Sequence, residues 1–348
     1  GFTLTQDPKE ADLVLLNTCA IREHAEDRVF GNLGALTHTK KENPEQVICL
    51  CGCMAQEPRV SERIKKSYPH VDLVFGPQAL WKFPELLWQV YETKKRVFSV
   101  QDEHGTIAEG IPVVREKGVK AWVSIMYGCN NFCSYCIVPY VRGRERSRRP
   151  EDILAEVRQL AEEGYREIVL TGIEISSWGQ DLKNGETLID LLEAVCTAAP
   201  AVRIRLGSLE PRTITEEFCR RAAALPNLCP QFHLSMQSGC DDTLKRMNRK
   251  YDTTRYAQSV ALLNQYFDHP AVTTDLITGF PEETEEEFAQ TLDFIRRCGF
   301  AQMHIFPYSI RPGTPAAKME QVPKAVKEER ARRAAAVAEE MHRSYLEG

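Results

Sequence analysis

From residue 121 onward, short apolar runs alternate with helical patterns at a spacing of roughly 30–45 residues. This alternation constrains the fold most, because it is typical of repeated strand–helix units that build a parallel sheet. Six such units are too few for a closed eight-stranded barrel, so the sequence predicts a partial, open barrel. Its ligands should lie at the carboxyl ends of the strands. The predicted strands are 122–127, 167–171, 202–206, 231–236, 273–277 and 302–308.

A similar alternation on a smaller scale occupies the first 97 residues and predicts a small parallel α/β domain. Its predicted strands are 12–17, 46–51 and 71–75, and its predicted helices are 21–39, 58–67 and 79–90. Residues 98–120 have little periodicity and several charges, which predicts an interdomain linker. We therefore expect an α/β protein with a small N-terminal domain (1–97), the linker (98–120), a partial (β/α)6 barrel (121–323) and a charged C-terminal helix (324–348).

The composition excludes several classes of protein. With 43% apolar residues and a net charge of −5 in 348 residues, the chain is neither disordered nor collagen-like. No apolar run approaches the ~18–20 residues of a membrane span, and the N-terminus lacks a signal-peptide pattern. Six of the 12 cysteines lie in two tight groups, and this pattern without a secretion signal predicts reduced thiols that serve metal or redox chemistry. The start at Gly1 and the charged last helix predict a fragment of a longer protein.

Three cysteines with the spacing C-x-x-x-C-x-x-C directly follow the first barrel strand: Cys129, Cys133 and Cys136. Three closely spaced thiolates can hold three irons of a [4Fe–4S] cluster and leave the fourth iron open to a substrate. Structural zinc is an alternative, but it needs four protein ligands, and no His or further Cys lies within twenty residues on either side. Three ordinary core cysteines are a second alternative, which the polar, loop-like stretch disfavours.

The N-terminal domain contributes further thiols at the ends of neighbouring predicted strands. Cys19 closes the first strand and Cys53 follows the second, so the two could face one crevice. Cys49 and Cys51 lie within the second strand, and we interpret them as ordinary apolar core residues.

The stretches NTCAIRE at 17–23, CGCMAQE at 51–57 and GCNNFCSYC at 128–136, the last followed by IVPYVRGRERSR, resemble the radical S-adenosylmethionine (SAM) methylthiotransferases. Tyr135 fills the aromatic position of that superfamily's cysteine motif, which implies that it contacts the cofactor. The similarity runs through essentially the whole chain. The first half is most similar to members that act on isopentenyl-adenosine in tRNA. From about residue 171, TGIEISSWGQDL, RLGSLEPRTIT and HIFPYSIRPGTPA are more similar to members that act on threonylcarbamoyl-adenosine.

This resemblance implies two [4Fe–4S] clusters and SAM as cofactors. It implies that Cys129, Cys133 and Cys136 hold the cluster whose open iron binds SAM and whose electron releases a 5′-deoxyadenosyl radical. It also implies that Cys19 and Cys53 bind the auxiliary cluster with a third cysteine from an earlier strand. A small RNA-binding domain typically follows the last helix in this family. The earlier strand with the third cysteine and this domain both agree with the expectation that the chain is a fragment.

Seven residues in the loops at the carboxyl ends of barrel strands are implied to contact SAM. They are Gly172 and Glu174 after the second strand, Ser235 and Gln237 after the fourth, Ile277 and Gly279 after the fifth, and Pro307 at the end of the sixth. The resemblance assigns the first pair to the SAM amino group, the second to its ribose or methionine, and the third to its adenine. The alternative for each is an ordinary turn between strand and helix, since such turns are often polar and contain glycine.

A run of arginines follows the cysteine motif and predicts a strip that binds RNA phosphates. It consists of Arg142, Arg144, Arg146, Arg148 and Arg149. A solvated charged loop is the alternative. The segment from Lys245 to Lys250 forms a second basic patch, whereas the mixed charges of 324–343 indicate a solvated helix.

The favoured hypothesis is an enzyme that places a methylthio group on carbon 2 of isopentenyl-adenosine, next to the tRNA anticodon. Alternatives are the same reaction on threonylcarbamoyl-adenosine, modification of a ribosomal protein, or a non-catalytic iron–sulfur electron carrier or RNA-binding scaffold. An electron carrier would use four thiolates per cluster, which the three-cysteine motif disfavours.

The expected partners are the tRNA anticodon stem-loop and an electron donor such as flavodoxin or ferredoxin. The expected location is the cytoplasm without a membrane partner, and the sequence leaves the oligomeric state open.

Overall fold

The computed structural model describes residues 2–20, 23–100, 107–115 and 118–348. The chain divides into two compact units, one formed by residues 1–111 and 136–144 and the other by 112–135 and 145–348. The predicted linker, 98–120, falls partly outside the described residues, because 101–106 and 116–117 are among the gaps.

The first unit contains a parallel four-stranded sheet in the order β1-β2-β3-β4. Its strands are β1 (Leu13–Thr18), β2 (Val47–Gly52), β3 (Leu73–Phe75) and β4 (Val97–Ser99), and its helices are α1 (Glu23–Glu42), α2 (Pro58–Ser67), α3 (Phe83–Thr93) and α4 (Val138–Arg142). Every residue of β2 is buried, because apolar side chains pack against both faces of the sheet.

The sequence predicts three of these strands and misses β4. Val97–Ser99 is a run of three half-buried residues, which is too short to show a period. The helix predicted from residue 79 begins instead at Phe83, after a 3₁₀ turn at Pro77–Lys82, since Pro84 is suited to the first turn of a helix. The predicted start of α1 at 21 lies outside the described residues.

The second unit is an open half-barrel made of two parallel ribbons, β5-β7-β8 and β9-β10-β11-β12, with β6 paired antiparallel to β5. Its strands are β5 (Lys120–Tyr127), β6 (Arg146–Ser147), β7 (Glu167–Gly172), β8 (Arg203–Leu206), β9 (Ser208–Leu209), β10 (Gln231–Leu234), β11 (Ala271–Thr278) and β12 (Gln302–Pro307). Its helices are α5 (Pro150–Glu162), α6 (Leu188–Ala198), α7 (Glu216–Ala223), α8 (Asp241–Arg246), α9 (Thr253–Tyr266), α10 (Glu285–Cys298) and α11 (Lys324–Glu347). All six predicted barrel strands are present, and the predicted fold class is confirmed.

Alternation along the barrel strands separates a helix-covered face from a cavity-lining face. In β10 and β11, buried residues such as Phe232, Leu234 and Val272 belong to the main core, whereas the half-buried His233 and Thr273 line a cavity. This follows from the period of two in a strand, which sends successive side chains to opposite faces. The inner face of the half-barrel therefore carries the polar groups.

The last helix, α11, is not the solvated helix that its charges predict. Ala334 and Val337 belong to the main core, and Lys327 and Arg330 are buried. The Arg330 guanidinium donates to Glu283 Oε2 over 2.9 Å, and both side chains are almost fully enclosed. The few apolar residues of α11 are outnumbered by charged residues in the sequence, which explains why the helix was wrongly predicted to be solvated. No helix in the described ranges is long and apolar enough to cross a membrane.

Replacing Arg330 with Ala should lower the free energy of unfolding by about 3–5 kcal/mol, because it leaves the Glu283 carboxylate buried without its cation. The measurement is the urea midpoint of unfolding, at constant m-value. Arg332→Ala on the same helix is the matched control, since its side chain is 78% exposed, and its midpoint should stay near that of the wild type. Equal midpoints for the two variants would contradict the buried ion pair.

Candidate active site

The cysteine loop lies at the carboxyl end of β5, where the sequence predicts a ligand site. Cys133 is buried, and Cys129 and Cys136 are half-buried free thiols. Cys129 and Cys133 belong to the second unit, whereas Cys136 belongs to the first. Across the residues that the structure describes, no three His, Cys, Asp or Glu side chains are grouped as a metal site. The loop therefore supplies three thiol donors.

Hydrogen bonds fix the cysteine loop to the half-barrel. The backbone N–H of Ser134 donates to Met247 O over 3.0 Å, and the carbonyl of Ser134 accepts from Ala316 N over 2.9 Å. The Asn248 side chain donates to Phe132 O over 2.9 Å. Three soft thiol donors on one anchored loop, with no competing His, form a donor set that fits an iron–sulfur cluster.

A half-buried arginine of the second basic patch, Arg249, contacts the cysteine loop. Arg249 Nη1 donates to Cys133 Sγ over 3.2 Å, and the same guanidinium donates to Tyr251 Oη over 2.9 Å and to Ser235 O over 3.3 Å. Arg246, from the same basic run, is paired with Glu287 at 2.6 Å. In the second basic patch, only Lys245 and Lys250 therefore remain exposed. No local pattern distinguishes Arg249 from those neighbours, so only the fold reveals its position.

Glu174, one of the predicted SAM contacts, lies beside the cysteine loop. Its Oε2 accepts from Asn131 Nδ2 over 2.9 Å, and its Oε1 accepts from Ser176 N over 3.3 Å. Burial, reinforced by the nearby Glu210 carboxylate, raises the pKa of Glu174 to about 7. Burial likewise raises the pKa of the Cys129 thiol to about 12, against a hydrogen bond from Asn131 N. A bound cation, whether iron or an ammonium group, would favour the ionised form of either group.

At two of the predicted SAM contacts, Gly172 and Gly279, the packing of the fold itself requires a glycine. A Cβ at Gly172 would lie 2.9 Å from Met126 O, so the close β5–β7 pairing requires glycine there. Gly279 has a φ of +64°, and a Cβ would lie 2.4 Å from the Lys327 side chain of α11. At these two positions packing explains the glycine, and contact with SAM stays a prediction.

The remaining predicted SAM contacts lie in different local environments. Tyr135 and Ile277 pack together in a small apolar cluster with Phe280. Gln237 has a φ of 68°, unusual for a side-chain-bearing residue, and its backbone is held between the backbones of Asp275 and Ile277 at 2.9 Å. Ser235 uses its carbonyl to hold Arg249 and Tyr251, and Pro307 lies exposed at the end of β12.

In the first unit, Cys19 and Cys53 follow neighbouring strands. Thr18 and Gly52 are register partners, and Cys53 N donates to Thr18 O over 3.0 Å. Gly52 has a φ of +95°, and a Cβ would lie 2.4 Å from Thr18 O, so glycine permits this close approach. Cys19 is exposed, whereas Cys53 is buried. The structure thus brings two of the predicted auxiliary ligands to one edge of the sheet.

Arg142, predicted to bind RNA, contacts Cys53 instead. Its Nε donates to Cys53 Sγ over 2.8 Å. Burial raises the pKa of Cys53, and the Arg142 guanidinium opposes that shift. Cys49 and Cys51 are buried in an apolar cluster, as predicted, and burial raises the pKa of Cys51 to about 11.

The other predicted RNA-binding arginines also separate into distinct environments. Arg144 and Arg149 are exposed and Arg146 is half-buried, but Arg148 is buried, in contradiction to its predicted role. Its guanidinium donates to Glu156 and to Ser124 O, each over 2.7 Å. The antiparallel pairing of β6 with β5 explains this, because it joins Arg148 N to Ile125 O at 2.9 Å and turns the side chain into the barrel wall.

Both parts of the chain resemble known proteins. Residues 123–295 match the radical SAM superfamily, and residues 1–76 match a family described as uncharacterized protein family UPF0004. Among solved structures, the radical SAM methyltransferase TsrM from Kitasatospora setae has a TM-score of 0.65 at 15% identity, over 88% of this chain and 64% of that one. The half-barrel and its cysteine loop thus define a radical SAM protein.

Curated relatives give the family. A tRNA-2-methylthio-N(6)-dimethylallyladenosine synthase of Caldicellulosiruptor saccharolyticus is 46% identical, over 98% of this chain and 73% of the relative. A protein of the same name from Acetivibrio thermocellus is 47% identical, over 96% of this chain and 70% of the relative. The chain belongs to this family of radical SAM methylthiotransferases.

Changing Cys129, Cys133 or Cys136 singly to Ala should remove about four irons per chain from anaerobically reconstituted protein, because two thiolates cannot hold a cubane cluster. Iron analysis and the visible absorption of the cluster measure the loss. Cys298→Ala is the matched control, since Cys298 is a half-buried thiol on α10 in the same unit as Cys129. Undiminished iron in the Cys133→Ala variant would defeat the ligand assignment.

Proposed function

We propose that this chain converts N6-dimethylallyladenosine (the isopentenyl-adenosine above) next to the tRNA anticodon into its 2-methylthio derivative, the reaction for which its relatives are named. The observation that carries the proposal is the three-cysteine loop at the carboxyl end of β5, in a half-barrel of a chain 46% identical to such a relative. These relatives match 96–98% of the chain under one name, so the likeness extends through both of its halves.

Two [4Fe–4S] clusters and SAM, when bound, would supply the one-electron, sulfur and methyl chemistry of the reaction. The chain's own residues would bind and orient them. Cys129, Cys133 and Cys136 would hold one cluster, and Cys19 and Cys53 would contribute to the other. Arg249 would donate to Cys133 and offset the negative charge of its thiolate.

Glu174 would accept hydrogen bonds from an ammonium group bound beside the cysteine loop. Its carboxyl group is already held by Asn131, a residue of that loop. Because the Glu174 pKa is raised to about 7 by burial, a cation would stabilise the charged carboxylate that burial disfavours. This supports the assignment of Glu174 to the amino group of SAM.

For the RNA, we propose that Arg144 and Arg149 bind phosphates of the anticodon stem-loop. Both guanidiniums are exposed, whereas Arg142 donates to Cys53 and Arg148 donates to Glu156.

A tRNA substrate also supports a cytoplasmic location, and the expected one-electron chemistry requires a donor such as flavodoxin or ferredoxin. Threonylcarbamoyl-adenosine is the alternative substrate, supported by the likeness of the segments from residue 171.

The proposed function predicts a product that mass spectrometry can identify. The reconstituted protein, supplied with SAM, dithionite and tRNA containing dimethylallyladenosine, should form 2-methylthio-N6-dimethylallyladenosine together with 5′-deoxyadenosine. The control is the same tRNA carrying threonylcarbamoyl-adenosine. If only the control tRNA gave a methylthio product, the substrate would be threonylcarbamoyl-adenosine and not dimethylallyladenosine. Nucleoside analysis of tRNA from cells with and without the full-length gene provides the second arm.

Replacing Arg144 with Gln should weaken tRNA binding and reduce the salt dependence of log Kd by about one unit of slope, as expected for one lost phosphate contact. All tRNAs should be affected similarly, because phosphate contacts carry no sequence information. Arg332→Gln, which removes an exposed guanidinium on α11, is the matched control and should bind normally. An unchanged slope in Arg144→Gln would show a solvated loop.

A further inference from the structure

Both neighbours of Cys133 are anchored to the end of α8 and to the residues that follow it. The Ser134 hydroxyl donates to the last carbonyl of α8 over 2.7 Å, and the Asn248 side chain donates to Phe132 O over 2.9 Å. Between these two contacts, Arg249 Nη1 donates to Cys133 Sγ over 3.2 Å. Because the loop is tied down on both sides of the sulfur, the guanidinium and the thiol are held in a fixed arrangement.

The other edge of the Arg249 guanidinium is fixed as well. Its Nε donates to Tyr251 Oη over 2.9 Å, and its Nη2 donates to Ser235 O over 3.3 Å. Tyr251 is buried, its ring centroid lies 4.8 Å from the guanidinium carbon, and its hydroxyl donates to Met236 O over 2.9 Å. A side chain ordered in this way loses little further freedom when it binds a charged sulfur.

This half-buried cation makes no ion pair with a carboxylate in the part of the chain that the structure describes. Its hydrogen bonds go to Tyr251, to the Ser235 carbonyl and to the Cys133 thiol. Burial raises the pKa of Tyr251 far above its usual value, so the phenol is neutral at physiological pH. Arg246 differs, because Glu287 at 2.6 Å balances its charge. Cations away from water are normally paired, and a thiolate cluster ligand at Cys133 would supply the balancing charge.

The charge on this donor gives the contact with Cys133 a redox consequence. Cys133 is buried, and a hydrogen bond from a cation to a buried anion is stronger than one from a neutral group. Cys129 Sγ, in contrast, accepts from the neutral backbone N–H of Asn131 over 3.4 Å. Reduction adds an electron to a cluster and so increases the negative charge on its sulfurs. A cationic donor therefore stabilises the reduced state more than the oxidised state.

We propose that Arg249 is a positioning residue that raises the reduction potential of the cluster held by Cys129, Cys133 and Cys136. One electron passes from an external donor such as flavodoxin or ferredoxin, which is oxidised, to the cluster, which is reduced. Arg249 keeps its protons throughout, and its hydrogen bond to Cys133 strengthens. The inference rests on the proposed ligand assignment and deepens it, because it names the residue that sets how readily this electron is accepted.

The test is a redox titration, monitored by electron paramagnetic resonance (EPR), of anaerobically reconstituted wild-type protein and Arg249→Met. The signal that Cys133→Ala abolishes identifies the cluster. Arg249→Met should lower its midpoint potential, so that at a fixed ambient potential the ratio of reduced to oxidised cluster falls roughly tenfold or more. For a one-electron couple, a tenfold change corresponds to about 59 mV. Arg249→Lys, which keeps the positive charge, should restore part of the potential.

Lys245→Met is the matched control, because it removes an exposed cation of the same basic patch, and its midpoint should match the wild type. Two outcomes would overturn the inference: a wild-type midpoint in Arg249→Met with its iron complete, or an equal shift in Lys245→Met. If Arg249→Met loses iron, Arg249→Gln decides, and a wild-type midpoint there also overturns it.

Failure of the proposals on which the inference rests is distinguishable from its own failure. If the ligand assignment is wrong, Cys133→Ala keeps its iron and the full EPR signal. If only the proposed tRNA substrate is wrong, the midpoints still differ as stated, since the titration contains no RNA.

Discussion

Parallel pairing of strands is the constraint on which every proposed site depends. In the second unit it places the cysteine loop after β5 and the Gly172–Glu174 segment after β7 at the same edge, so that Asn131 reaches Glu174. In the first unit it aligns Thr18 with Gly52 and so brings Cys19 and Cys53 to one edge. Because hydrogen bonds between neighbouring parallel strands fix the register, residues far apart in sequence become neighbours without any local signal.

Charge compensation within the fold explains which arginines are turned inward. Arg142 donates to Cys53 and Arg249 donates to Cys133, so each of the two basic runs gives one guanidinium to a thiol implied to bind a cluster. A thiolate cluster ligand is a partly buried negative charge, and hydrogen bonds from a cation stabilise it. The same runs keep exposed cations, among them Arg144 and Arg149, which we propose to bind RNA. Basic character alone therefore does not identify an RNA contact in this chain.

The helix α11 links the stability of the half-barrel to its inner cavity. Its Arg330 is buried against Glu283, and its Lys327 approaches Gly279 so closely that only glycine fits there. Farther along the same helix, His342 and Tyr345 line the inner cavity of the half-barrel. One helix thus packs against the loop after β11 and also contributes to the lining of the cavity.

The sequence by itself determined the fold class and the six barrel strands, because strand–helix periodicity is a local pattern. The family followed from the resemblance of its cysteine-containing motifs to known methylthiotransferases, and the curated relatives confirm it. The sequence also identified Cys49 and Cys51 as core residues, which their burial confirms. It missed β4, whose three residues are too few to show a period, and it wrongly predicted α11 to be a solvated helix. It assigned Arg148 to the RNA-binding strip and Arg249 to a basic patch, without revealing their hydrogen-bond partners. The partners of α11, Arg148 and Arg249 are Glu283, Glu156 and Cys133, which lie far away or in another element, so only the tertiary structure decided these environments.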